Sequence, residues 1–270
     1  MLLLAALLFG APRVVVLRDG ETGAYAQAVD GLRAAGATVE IVAPDAVAGR
    51  LAAPLPPAAD ETWLALGPHS AAALAAASPR ARAAAWLLEA DAPASMPAVT
   101  LEVAPAQQVQ WIAAAFPDRR RLIVLRQPAA ARDAMLRAAA IGFTLDLVDV
   151  THPAEAGPAL EVALRSDAAR SILWLLPDPV ALTPETIGPL LQLALGARAA
   201  AVGFSQYFLR AGALGAFVVD PGAAALRAVE LAHLPGVTRE PPPVAVLALD
   251  AGLAGRLGVR ISPAPGVELR

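Results

Sequence analysis

The sequence predicts an α/β protein of two similar lobes, each a parallel sheet wrapped by helices. Three observations lead there. The stretch from Arg13 to Val42 is repeated further along the chain: RVVVLR (Arg13 to Arg18) matches RLIVLR (Arg121 to Arg126), and GATVEIV (Gly36 to Val42) matches GFTLDLV (Gly142 to Val148). Each matched run is apolar, as a parallel strand covered on both faces must be. The chain has 270 residues, enough for two small α/β bodies with a core each. Two sheets in one chain imply a cleft between them.

Leu2 to Phe9 is an apolar run closed by Gly10 and Ala11, the pattern of a secretory leader without its basic start. It is shorter than the roughly 20 residues a spanning helix needs. Residues 1–12 are therefore read as a truncated signal segment, with a first core strand as the other reading. Strand Val14 to Leu17 follows. Ala24, Ala28, Val29, Leu32 and Ala35 then keep helical spacing up to Gly36, where a helix would stop. Thr38 to Val42 is the second strand, and Pro44 to Asp60 a loop with one short helix. Thr62 to Leu66 is a strand, and Gly67, Pro68, His69 and Ser70 open an alanine-rich helix to about Ala77. Ala84 to Leu88 and Ala98 to Leu101 are the fourth and fifth strands. Pro105 starts a helix at its first position.

The second lobe repeats the order. Leu122 to Leu125 is a strand, Ala129 to Ala140 a helix, Thr144 to Val148 a strand, Pro153 to Leu164 a helix and Ile172 to Leu176 a strand. Thr183, Pro184 and Glu185 give an N-cap, a first-turn proline and an early acid. Strand Ala199 to Val202, a short helix at Gln206 to Ala211, strand Leu214 to Val219 and a helix from Pro221 to Ala232 complete it. Pro241 to Pro243 marks a crossing segment. The fold class is thus two Rossmann-like lobes with parallel sheets joined by a three-segment hinge, with connections near Ala104, Asp220 and Pro242. The lobes are 13–103 plus 221–240, and 104–220 plus 241–270.

Composition removes several function classes. There is no cysteine, which excludes disulfides, thiol nucleophiles and cysteinyl metal sites. The formal net charge is −3 and the arginines are scattered, so the basic face of a nucleic-acid binder is missing. The tightest run, Arg119 to Arg121, reads as a solvated loop at a strand entrance. His69, His152 and His233 lie far apart without ligand spacing, against a metal site. No G-x-S-x-G elbow occurs, and RDGETG (Arg18 to Gly23) lacks the spacing of a dinucleotide loop. No cofactor and no catalysis are expected, and no stable membrane insertion.

From Leu66 onward the motif order resembles the substrate-binding proteins of ABC importers, in the branch with a type I periplasmic-binding fold that includes tryptophan and tyrosine binders. ALGPHSAAAL (Ala65 to Leu74) and VAPAQQVQWIAAAFPDRRRLIVLRQP (Val103 to Pro128) carry the resemblance in the first half. SILWLLPDPVALTPETIGPLLQLAL (Ser171 to Leu195), FSQYFLRAGALGAFVVDPG (Phe204 to Gly222) and LDAGLAGRLGVRIS (Leu249 to Ser262) carry it in the second. Asp250 stands where the family's closing helix usually starts at asparagine, and Pro68 and His69 replace a common threonine. The resemblance implies a periplasmic, exported receptor that traps a small solute, an amino acid or a related molecule, and presents it to an ABC permease in the inner membrane. The altered turns raise a second reading, a degenerate member acting as a structural or interaction module that binds no solute.

Ligands of open α/β sheets sit beyond the carboxyl ends of the strands, which nominates Arg18, Asp19, Gly67, His69, Ser70 and Glu89 in the first lobe. In the second it nominates Gln127, Asp178, Ser205, Gln206 and Tyr207, with Thr151 and His152 in a flanking turn. Gly67 to Ser70 precede a helix, where free amides and the dipole favour an anion unless the serine is an ordinary cap. Asp178, between two prolines, either faces the cleft, where an ammonium would suit it, or forms the turn. Tyr207 either stacks on a planar ligand or joins Phe208 in the core. Arg18 and Asp19 either reach the cleft or pair with each other.

Overall fold

The computed structural model describes residues 12–21, 23–52, 61–77, 82–87 and 92–270. The expected leader, Thr22 and Glu89 lie outside the described residues. By its internal contacts the chain divides into two compact units, residues 1–102 with 219–244 and residues 103–218 with 245–270, so it passes from one to the other three times.

Unit 1 holds β1 (Arg13–Arg18), α1 (Gly23–Ala34), β2 (Thr38–Val42), α2 (Val47–Ala52), β3 (Glu61–Leu66), α3 (Pro68–Ala77), β4 (Arg82–Leu87) and β5 (Ala98–Thr100). After the excursion through unit 2 it gains α9 (Pro221–Leu231) and β11 (Arg239–Glu240). The strands lie in the order β11-β5-β4-β3-β1-β2, parallel in every pair. Successive residues of a strand face opposite sides, so β1 feeds two cores. Val14 and Val16 pack with Leu64, Leu66, Trp86 and helices α1 and α9. Val15 and Leu17 pack with Trp63, Ala65 and the Ala71 and Leu74 face of α3.

Unit 2 holds α4 (Pro105–Ala115), β6 (Arg121–Arg126), α5 (Ala130–Ala139), β7 (Thr144–Asp149), α6 (Ala156–Leu164), β8 (Ser171–Trp174), α7 (Pro184–Gly196), β9 (Ala200–Gly203), α8 (Gln206–Arg210) and β10 (Gly215–Val219). It closes with β12 (Ala245–Leu249), α10 (Ala251–Leu257) and β13 (Val267–Leu269). The sheet order is β13-β12-β10-β9-β8-β6-β7. One pair breaks the expected all-parallel pattern. The Asp250 amide donates to the Leu214 carbonyl and the Asp220 amide to that of Val244, so β12 runs antiparallel to β10. Neither β12 nor β13 was expected from the sequence.

The duplication extends to register. Arg13 sits opposite Thr38 and Val15 opposite Glu40, while Arg121 sits opposite Thr144 and Ile123 opposite Asp146. The same ion pair therefore forms twice at the amino end of each sheet: Arg13 with Glu40 at 2.7 Å and Arg121 with Asp146. In unit 1 Arg50 joins from α2, and Glu61 completes the cluster at 2.8 Å from Arg50. The arginine triplet departs from expectation. Arg119 is buried and donates to the carbonyls of Ser171 (2.7 Å) and Arg198 (3.2 Å), tying two strand entrances together. Burial pushes its guanidinium pKa down.

Helix starts follow local chemistry. Proline opens α3, α4, α7 and α9, where its missing donor costs nothing. Asp220 caps α9 at Ala223 N, and Asp250 caps α10 at Leu253 N at 2.7 Å. Asp250, the family departure, is thus satisfied as a helix cap.

Candidate functional site

In each unit the chain order reverses about its first strand. β2 lies on one side of β1 and β3 on the other, and β6 is flanked by β7 and β8 in the same way. The crevice beyond the carboxyl ends at such a switch point is where open α/β sheets bind ligands.

In unit 1 the Asp19 amide continues the ladder to the Leu66 carbonyl, and the Gly67 amide bonds the Trp86 carbonyl. That brings the turn after β1 against the turn after β3. The Asp19 carboxylate then accepts from His69 N at 2.8 Å and from Ser70 N at 2.6 Å, the first amides of α3. This corrects the expectation of free amides at Gly67 to Ser70. They are filled by the chain's own carboxylate, since the helix dipole favours a negative group at that end. Gly67 has φ of +106°, and a Cβ there would lie 2.4 Å from an Asp19 oxygen and 2.7 Å from the Tyr25 hydroxyl. Only glycine fits so tight a turn. Arg18 does not pair with Asp19 but with Glu21 at 2.8 Å.

Ser70 is fully buried and its hydroxyl has no hydrogen-bond partner. Asp19 and His69 are exposed and Arg18 is half-buried. Tyr25, which sequence reasoning missed, sits edge-on to Trp86 with ring centroids 6.2 Å apart. Burial, with the Asp19 charge adding to it, pushes its phenol pKa up, so it stays a proton donor. Its signal was its place in the first turn of the helix that follows β1.

In unit 2 the corresponding bridge runs the other way. Asp178 lies beyond β8, and its carboxylate accepts from Gln127 N after β6 at 2.8 Å, from Val180 N at 3.0 Å and from Ala181 N at 2.8 Å. Arg132 of α5 stands 3.4 Å from the same group and donates to the Pro177 carbonyl at 2.6 Å. The side chain of Asp178 is 1% exposed, so it forms the turn and fixes Gln127, whose own side chain is exposed. Arg132 was also missed, because its role needs a contact across 46 residues.

Arg126, the counterpart of Arg18, is buried between Asp149 (2.6 Å) and Asp133 (2.7 Å). In the next turn the Glu155 carboxylate accepts from Thr151 N and Oγ1 and from His152 N, which draws its pKa down. After β9, Phe208 packs on Gly203, where a Cβ would meet its ring at 2.1 Å. Phe208 is core, as one reading of the sequence had it. Tyr207 is 56% exposed and edge-on to Phe208, with Gln206 exposed beside it and Ser205 half-buried. Among the described residues no group of three or more His, Asp or Glu side chains is arranged to hold a metal ion, and no helix is long and apolar enough to cross a membrane.

No protein-family model and no curated protein matches the chain. Solved structures do. A ligand-free, open substrate-binding protein with adhesive properties from Clostridium difficile superposes with a TM-score of 0.72 at 10% identity, over 96% of this chain and 99% of that one. A conserved domain protein from Vibrio cholerae gives 0.61 at 16% identity, over 96% and 100%. A protein described as the ABC domain in complex with L-Trp, from Streptococcus pneumonia, gives 0.59 at 15% identity, over 92% and 96%. The chain shares with these structures the type I periplasmic-binding-protein-like fold.

Proposed function

We propose that the protein is the solute-binding component of an ABC-type importer. It is exported to the periplasm, binds a small solute at its switch-point turns, and delivers it to a permease in the inner membrane. The role is binding without catalysis. The observation that carries the reading is the type I fold of substrate-binding proteins, with exposed polar and aromatic side chains beyond the carboxyl ends of the strands in each sheet: Asp19 and His69 in one, Gln127, Gln206 and Tyr207 in the other. In this reading those five touch the solute, with Arg18 and Ser205 beside them. Gly67, Ser70 and Asp178 hold the turns in shape. An amino acid or a related small molecule suits a mostly apolar chain with a few convergent polar groups.

A thermal-shift screen with amino acids, nucleosides and small acids tests this. A solute that binds only the folded state must raise its stability, by about 2.7 kcal/mol at a hundredfold excess over Kd. No response from any solute class would favour the second reading, a structural or protein-interaction module on the same fold. One observation supports that second reading: the chain's own aspartates already fill the turn amides of both switch points.

A further inference from the structure

We propose that Asp19 sets the ligand class of unit 1: it occupies the anion position of its own switch point, so this turn rejects carboxylates and phosphates and receives a cationic or neutral hydrogen-bond donor. The inference rests on the solute-binding reading above and narrows it.

The turn has the parts of an anion site. Two amides at the start of a ten-residue helix converge, and a positive-φ glycine lets a neighbouring group come close. Beside them Ser70 carries a hydroxyl that is wholly buried and has no partner. The carboxylate that fills the turn comes from a different strand, and each of its oxygens takes one amide. A second anion would find both amides taken and a full negative charge already in the turn.

The two units differ in how that charge is balanced. In unit 2 the buried Asp178 has Arg132 3.4 Å away. In unit 1 the neighbouring Arg18 is turned to Glu21, and no guanidinium pairs with Asp19 among the described residues. Asp19 is exposed, so its charge is offered outward, next to the protonated Tyr25. An ammonium group, or a hydroxyl or amide donor, can share the carboxylate's remaining lone pairs. A zwitterionic solute would therefore meet unit 1 with its amino end.

Inorganic sulfate is the probe, titrated at constant ionic strength against chloride while the backbone amide resonances of His69 and Ser70 are followed. Wild-type protein should show no saturable shift at these amides. Asp19→Ala should gain one, with at least tenfold tighter apparent affinity than wild type. Should Asp19→Ala lose its cooperative thermal transition, Asp19→Asn, which keeps the shape and one acceptor oxygen, must show a smaller gain in the same titration. Saturable shifts in wild type with sulfate or acetate, or no gain in either folded variant, would overturn the proposal. The sulfate gain needs no natural solute. A protein that ignores every solute in the screen but gains sulfate on losing Asp19 keeps this inference and loses the receptor reading. A solute that binds wild type, shifts His69 and Ser70, and fails as its methyl ester does the reverse.

Discussion

Asp178 and Asp19 are similar side chains at similar places, yet burial separates their roles. Removing the Asp178 carboxylate leaves the amides of Gln127, Val180 and Ala181 without an acceptor. Each buried donor left unsatisfied costs roughly 1–3 kcal/mol. Asp178→Ala should therefore lower unfolding free energy by at least about 2 kcal/mol in urea denaturation, and Asp178→Asn should recover part of it. Tyr207→Ala, at an exposed ring, should leave stability within about 0.5 kcal/mol while weakening the solute found in the screen. Unchanged affinity would remove Tyr207 from the site. A pH effect belongs to this scale too. Hydrogen bonds from Arg50 and then Arg13 hold the Glu40 pKa down at about 2 from 4.5. A depressed folded-state pKa gives stability that is present above the unfolded value and lost as pH falls through the folded one. Thermal midpoints should drop between about pH 4.5 and 2, and Glu40→Gln should flatten that part of the profile. The duplicated strands were legible, but the Arg13–Glu40 pair that they repeat as Arg121 and Asp146 was not read from them. The Asp19 bridge was not legible, because its acceptor and donors are 50 residues apart and only the β1–β3 pairing brings them together.

Elements were legible where periodicity or punctuation marked them. Strands β1, β3, β6 and β8 are apolar runs buried on both faces, and four helices announce themselves by proline. The carboxyl end of the sheet in unit 2 was not legible. VAVLAL, from Val244 to Leu249, directly follows three prolines with no helix leading into it, so nothing in the parallel βαβ pattern asked for it. It enters antiparallel beside β10, and Gly215 makes room: a Cβ there would lie 2.5 Å from Leu249. The contact of α1 with α9 was equally hidden. Gly31 faces Gly222 so closely that a Cβ on Gly31 would lie 2.4 Å from the Gly222 Cα. This is backbone against backbone, which no side-chain rotation relieves. Gly31→Leu should destabilise unit 1 by about 1–3 kcal/mol through overpacking, visible as a lower urea midpoint with an unchanged slope. A neutral result would mean that the two helices separate more readily than their packing implies.

At the scale of the whole molecule, neither unit is continuous in sequence, and this has a consequence for folding. The core of unit 1 is closed by Ala224, Ala225, Ala228, Val229 and Leu231 of α9, which pack on Val29, Leu32 and Trp86. Those residues are made only after all of β6 to β10. Unit 2 in turn waits for Leu247, Ala248 and Leu249, buried in β12. A chain ending at Val218 lacks both closures. It should leave the α9-facing side of sheet 1 exposed, with Val14, Val16 and Leu64 on that side, and the β10 edge of sheet 2 unpaired. Fully burying a Val or Leu side chain contributes about 1.5–3 kcal/mol, so losing several of them is comparable with the whole margin of about 5–15 kcal/mol of an ordinary domain. The truncated chain should bind the dye ANS, lose near-ultraviolet dichroism and be cut rapidly by protease, while adding residues 219–270 on the same chain restores protection. A truncated chain with a sharp thermal transition would show that one unit folds without its late segment, and the stability of the fold would then have to be assigned to the continuous parts alone.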